Sequence, residues 1–331
     1  DMMGITSNAL SYDYLHLTSD GYKIWCDKIA QYVNDNPEAK SVYGAEAQNN
    51  GGLGGANGMR ATVFSKLPVN SNDILIIGDE MVNGGEWHEL LKSSRIKNRG
   101  TSWGYPGASL ADMLKMVDAI FNGGGKPAQV FLYAGVSDVN GSTALETVLA
   151  NYKSVVARIK EMSPATKITL MSLQPTSTAA TNTGRVAPFN ELLAAYAAES
   201  NDDNIEYLDI YTDFVNNNVA NTAYFNGNYL YGKGYAKVAQ KIAAAVNEQG
   251  ITAITDDEAN ALYTRFTNRT ALGNAIVKAA ALPEGNGVGE YTSENLSGVK
   301  TAIANAYNAL KTTNAADATF DVESLTAATN E

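Results

Sequence analysis

Asp73-Ile74-Leu75-Ile76-Ile77-Gly78-Asp79-Glu80 decides the fold. An apolar run without polar alternation predicts a strand buried on both faces, and the glycine after it predicts a tight turn. Similar runs stand at 130–134, 168–173 and 205–210, with a shorter one at 96–99. Helical spacing falls between them. Leu110, Met113, Leu114, Val117 and Phe121 share one face, as do Val148, Tyr152, Val155, Val156 and Ile159. Pro188 suits the first turn of a helix carrying Leu192, Leu193 and Tyr196. Strands alternating with helices predict an α/β fold, a parallel sheet covered on both faces. Ligands of such sheets bind beyond the carboxyl ends of the strands. The turns after Ile77, Arg99 and Ala134, and the loop near Asn226, are therefore the places to look for a site.

Composition excludes several classes of function. A net charge of −11 over 331 residues argues against nucleic acid as a partner, which needs a clustered basic surface. No apolar run is long enough for a membrane span. Cys26 is the only cysteine, so the chain holds no internal disulfide, and its place on an amphipathic helix predicts a buried small residue. The only histidines are His16 and His88, too few for a histidine-rich metal centre, and no metal or cofactor is expected. His88, beside Trp87, reads either as a cleft residue or, more simply, as a surface one. Many Asn, Thr, Gly and Tyr with few Lys and Arg point to a secreted, periplasmic or cell-surface setting.

Four short motifs stand in order at the predicted strand ends. They are Gly78-Asp79-Glu80, Asn98-Arg99-Gly100, Gly135-Val136-Ser137-Asp138 and Asn226-Gly227-Asn228-Tyr229. The series resembles the four blocks of the SGNH (GDSL-like) hydrolases. Gly85-Glu86-Trp87-His88-Glu89-Leu90-Leu91 and Ser163-Pro164 resemble the branch of carbohydrate O-acetylesterases. The resemblance implies a flavodoxin-like three-layer α/β/α fold. It places the nucleophile at Glu80, the oxyanion donors at Gly100 and Ser137, and the acid–base pair at Asn226 and Tyr229. Acyl transfer needs a nucleophile, a base and oxyanion donors. Of the residues the family uses, only Gly100 is retained. Tyrosine, with an ordinary pKa of about 10, is a poor base at neutral pH. The expectation is a degenerate site, with Asp79, Glu80, Gly100, Ser137, Asp138 and Tyr229 left as ligand-binding candidates. Glu80 either folds into an anion-friendly pocket at the Glu80 and Gly100 N–H groups or points to solvent. The competing expectation is a carbohydrate O-acetylesterase or acylhydrolase with an unusual site.

An internal repeat sets the domain plan. Asp13-Tyr14-Leu15-His16-Leu17 and the segment after it align without gaps on Asn226-Gly227-Asn228-Tyr229-Leu230 and its helix. Gly21 meets Gly234, Tyr22 meets Tyr235, Ile29 meets Ile242 and Val33 meets Val246. Asp13 and His16 keep the family's Asp-x-x-His pattern, so 1–36 reads as the last loop and helix of an upstream SGNH-like domain. That domain is the first expected partner and glycan the second. The helix over 21–33, with Tyr22, Trp25, Ile29 and Val33 on one side, is expected to pack against something. Residues 37–72 are expected to form a linker, with a flexible glycine-rich stretch over 49–58 stapled by Leu53, Met59, Val63, Phe64 and Leu67. The degenerate domain spans 73–250. The tail, 255–331, reads as three helices: 256–282 carrying Leu262, Phe266, Ile276 and Val277; 293–310 carrying Leu296, Val299, Ile303, Ala306 and Leu310; and a third from Thr319 with Val322 and Leu325. It resembles the FIVAR-like modules appended to secreted carbohydrate-active proteins; a plain helical spacer is the alternative.

Overall fold

The computed structural model describes residues 19–35, 53, 55–101, 104–246, 248 and 250–311. Five strands form one sheet: β1 (Ile74–Gly78), β2 (Ile96–Gly100), β3 (Gln129–Tyr133), β4 (Lys167–Met171) and β5 (Ile205–Leu208). Their order, β2-β1-β3-β4-β5, is that of flavodoxin-like sheets. β3 runs parallel to both β1 and β4, with Ile76 opposite Phe131 and Phe131 opposite Thr169. All five residues of β1 and of β3 are buried, which explains their unbroken apolar sequence.

The helices in chain order are α1 (Ser19–Asp35), α2 (Gly55–Phe64), α3 (Glu80–Asn83), α4 (Trp87–Leu90), α5 (Leu110–Ile120), α6 (Val136–Val139), α7 (Leu145–Met162), α8 (Ala179–Thr181), α9 (Ala187–Ala198), α10 (Gly232–Val246), α11 (Asp256–Ala280) and α12 (Ser297–Lys311). A π-turn, Asn182–Val186, leads into α9, which holds Pro188 in its first turn as expected.

The chain divides into two compact units. The first comprises Asp1–Gly84, Arg99–Leu173 and Phe189–Tyr207. Within it α5 packs against α2 and α7. Met113, Val117, Val148, Val155 and Ile159 are fully buried there, as their spacing predicts. Tyr152 donates its hydroxyl proton to the Leu132 carbonyl at 3.1 Å and meets the Phe189 ring edge-on.

The expected flexible stretch over 49–58 is corrected in part. α2 begins at Gly55 and runs through Gly58, despite the low helix propensity of glycine, because Ala61 and Phe64 bury its far end. Arg60 and Arg99 both lie over the Phe64 ring. Leu53 and Phe64 are buried, whereas Met59, Val63 and Leu67 are exposed and staple nothing.

Cys26 is also a correction. It is exposed, and Ile29 is 50% exposed, so the face of α1 that carries both is open. The equivalent positions of α10, Ala239 and Ile242, are fully buried. Asp13 and His16 lie outside the described residues.

The second unit comprises Gly85–Asn98, Gln174–Pro188 and Leu208–Glu331. Trp87 is fully buried in it and meets Tyr235 of α10 edge-on, with ring centroids 5.7 Å apart. A Cβ on Gly85 would fall 2.3 Å from the Trp87 ring, so only glycine lets the indole fold back here. Thr255 and Glu258 form a capping box that starts α11. α11 and α12 share a core of Leu272, Ile276, Ala279, Leu296, Val299 and Ala306. Leu262, Phe266 and Val277, apolar residues of the expected helix, are 58%, 64% and 71% exposed. Leu262 and Phe266 precede the stretch of α11 that forms the shared core, and Val277 lies beside Ile276 within it. The expected third helix lies outside the described residues. No described helix is long and apolar enough to cross a membrane.

Candidate functional site

In the first unit the chain turns directly from β1 into α3. A Cβ on Gly78 would lie 2.4 Å from both the Tyr133 carbonyl oxygen and Val82. One on Gly100, at the end of β2, would lie 2.1 Å from the Asn83 nitrogen. Both glycines are there so that the backbones can touch. The Gly100 carbonyl also accepts a hydrogen bond from Arg60 Nε at 2.9 Å.

Asp79 is 1% exposed. Its carboxyl meets the backbone N–H groups of Met81 and Val136, tying the turn after β1 to the turn after β3. Its Oδ2 is buried with no hydrogen-bond partner among the described residues. Burial pushes this carboxyl well above the usual range, the neighbouring Glu80 charge pushes it further, and the backbone N–H groups pull the other way. Glu80 itself is half-buried, and burial raises its carboxyl too.

A turn rests directly on this pair. Gly107 has φ +93°, and a Cβ there would lie 2.5 Å from Asp79 Cβ and 3.2 Å from the Glu80 nitrogen. The Tyr105–Pro106 peptide in this turn is cis. Asn140 Nδ2 donates to the Tyr105 hydroxyl at 2.6 Å, while Asn140 Oδ1 is buried without a partner among the described residues. Burial raises the Tyr105 hydroxyl, the Asn140 hydrogen bond opposes this, and the Asp79 and Glu80 charges add to it. Sequence reasoning missed Tyr105, Gly107 and Asn140. The Pro106-Gly107 pair was the available signal, since it marks a turn.

Ser137 and Asp138 sit in α6, which starts at Gly135 with φ +101°. Asp138 Oδ2 accepts the Leu110 N–H at 2.8 Å and so holds the start of α5. Burial raises its carboxyl. That is a structural duty, with the side chain committed to backbone. Ser137 is half-buried.

Asn226 and Tyr229 belong to the second unit. They face each other across a two-residue turn, Gly227-Asn228, as the pair of a small antiparallel hairpin. Gly227 has φ +61°. Asn228 fastens the turn: its Oδ1 accepts the Ser177 N–H at 2.8 Å and its carbonyl accepts Gln174 Nε2 at 2.7 Å. Asn226 is exposed and Tyr229 is 47% exposed. His88 lies at the surface, 3.7 Å from Glu89, which favours the plainer of its two readings. Among the described residues no cluster of acidic, histidine or cysteine side chains could hold a metal ion.

Residues 76–237 match the GDSL-like lipase/acylhydrolase family. Over this segment the chain is similar to GDSL-like hydrolases, and its five-stranded parallel sheet flanked by helices is consistent with the SGNH-type fold. Solved structures resemble it. A putative platelet activating factor from Streptococcus pneumonia matches with a TM-score of 0.50 and 21% identity, over 58% of this chain and 92% of that one. A GDSL-like lipase from Bacteroides thetaiotaomicron matches with a TM-score of 0.48 and 21% identity, over 57% and 95%. A carbohydrate esterase family 3 protein from Talaromyces cellulolyticus matches with a TM-score of 0.41 and 13% identity, over 53% and 96%. No curated protein matches the chain.

Gly78, Gly100 and Gly135 stand at the strand ends of this GDSL-like domain, where close approach or positive φ requires glycine. A carboxyl stands first in α3, a serine stands in α6, and a hairpin pair stands at Asn226 and Tyr229.

Proposed function

We propose that the GDSL-like domain does not hydrolyse esters by the family mechanism and serves to bind carbohydrate within a larger carbohydrate-active protein. The observation that carries this reading is Glu80, a half-buried carboxyl raised by its surroundings at the place of the nucleophile. A carboxyl there lacks the hydroxyl that the family mechanism deprotonates and adds to the ester. Tyr229, at the place of the base, is half exposed on a hairpin. Domains of such a protein act outside the cytoplasm, as the composition suggests.

The same reading assigns 1–36 to an upstream domain of the same kind. The open face of α1, against the buried equivalent face of α10, supports it, because a helix with that pattern is built to cover a sheet. The tail, 255–331, then serves as an appended helical module.

Incubation of the chain with acetylated polysaccharide tests the proposal. Retention on the glycan without release of acetate is the expected result. Acetate release that disappears in Glu80→Ala favours the second reading, a carbohydrate O-acetylesterase in which Glu80, its carboxyl raised by burial, acts as a general acid.

A further inference from the structure

Within the second unit, the start of α10, the Ile254 segment and the first half of α11 enclose a groove of about 640 Å³. Its volume is in the range of small-ligand sites, roughly 300–1,000 Å³. Tyr231, Tyr263 and Phe266 line it and are 49%, 67% and 64% exposed. The rings of Tyr263 and Phe266 lie 6.5 Å apart. Large side chains left this open on a folded domain mark a binding surface, since water gains nothing from them.

The polar lining is sparse and specific. Among the described residues, Lys233 is the only charged one that lines the groove, in a chain of net charge −11. Its ammonium sits over the Tyr224 ring, 5.6 Å from the centroid, which holds the cation in place. Two of the three acids that begin α11 are occupied elsewhere. Asp256 accepts from Gln240 at 2.9 Å, and Glu258 pairs with Lys92 at 2.9 Å. Asn260 and the phenol groups of Tyr231 and Tyr263 supply neutral hydrogen-bonding groups.

We propose that this groove binds an acidic glycan, an oligosaccharide that carries uronic-acid carboxylates. The proposal rests on the carbohydrate reading above and gives it a place and a charge. Ring faces take the apolar C–H side of a pyranose, as they take other flat apolar surfaces. Lys233 takes the carboxylate. The exposed walls leave one side of the ligand in water, which suits a hydroxyl-rich chain and not an alkyl one.

The test is titration calorimetry with an oligogalacturonate, its neutral methyl ester, and dodecanoate, using the chain and three variants. Tyr263→Ala and Phe266→Ala remove exposed side chains, so both should melt as the parent does. The expected result is binding of the oligogalacturonate, weakened at least about tenfold by either variant. Lys233→Gln should erase the preference for the acid over the ester. Oligogalacturonate binding that none of the three variants alters overturns the groove and leaves the carbohydrate reading standing. No binding of either glycan overturns the groove as well, and the acetylated-polysaccharide experiment then decides separately whether the wider reading survives. Preference for dodecanoate, or concentration-dependent self-association abolished by Phe266→Ala, assigns the groove to another occupant and overturns the proposal.

Discussion

Glu80→Ser should leave the chain without useful esterase turnover. The substitution restores a hydroxyl at the family's nucleophile position, yet a hydroxyl attacks only when a base takes its proton and donors hold the oxyanion. The resemblance puts the base and its partner at Tyr229 and Asn226, which form a hairpin pair across a Gly-Asn turn. It puts the side-chain donor at Ser137, in α6. Catalytic groups that act as a unit are strongly non-additive: losing one can cost about as much as losing all, up to about 10⁶ in rate. Repairing one of four positions therefore recovers almost nothing. The measurement is the initial rate of p-nitrophenyl acetate hydrolysis by Glu80→Ser against the unchanged chain. A rise of about 10⁴ or more would mean that a working base and oxyanion site survive and that Ser137, Asn226 and Tyr229 are misassigned.

Asp79 should make the protein less stable as the pH rises above the ordinary aspartate value, about 3.9. Its carboxyl is raised in the folded state, first by burial and then by the Glu80 charge. Between the unfolded value and the higher folded value, the native state holds a proton that the unfolded state has lost. The stabilising contribution is thus fully present below the unfolded value and falls as pH climbs through the folded one. The slope approaches about 1.4 kcal/mol per pH unit for one proton. Glu80, also raised, adds to it with the same sign. Asp202, Asp209 and Glu258 have lowered values, the last about 2, so their stability is lost only as the pH falls below the ordinary carboxylate range. They do not mask the effect above about pH 5. Denaturant midpoints from about pH 5 to about pH 8 should decline for the parent chain, and the decline should be shallower in Asp79→Asn, whose amide oxygen can still accept the Met81 and Val136 N–H groups. A parent chain whose stability is flat or rising over that interval contradicts the burial of a protonated Asp79.

The sheet was legible because β1 and β3 are buried on both faces and their sequence says so without interruption. α5 and α7 were legible because each buries one continuous stripe against the other. The tail misled in an instructive way. Leu262 and Phe266 continue the helical spacing of Leu272 and Ile276, but only the second half of α11 meets α12. Periodicity shows which face is apolar and not how far a partner extends along it. The glycine-rich start of α2 misled by the reverse error, since local propensity gave way to the burial of Ala61 and Phe64. At the site, the strand-end positions were readable as motifs. Tyr105, Gly107 and Asn140 were not, because their approach to Asp79 and Glu80 depends on a turn whose path no spacing rule supplies.

The most direct test of the account is the rate at which the unchanged chain hydrolyses p-nitrophenyl acetate, compared with Glu80→Ala. The account predicts that both rates equal the buffer background, since the GDSL-like backbone carries no activated nucleophile at Glu80. Turnover clearly above background that Glu80→Ala abolishes would contradict it and make this domain a working esterase with a carboxyl at its centre.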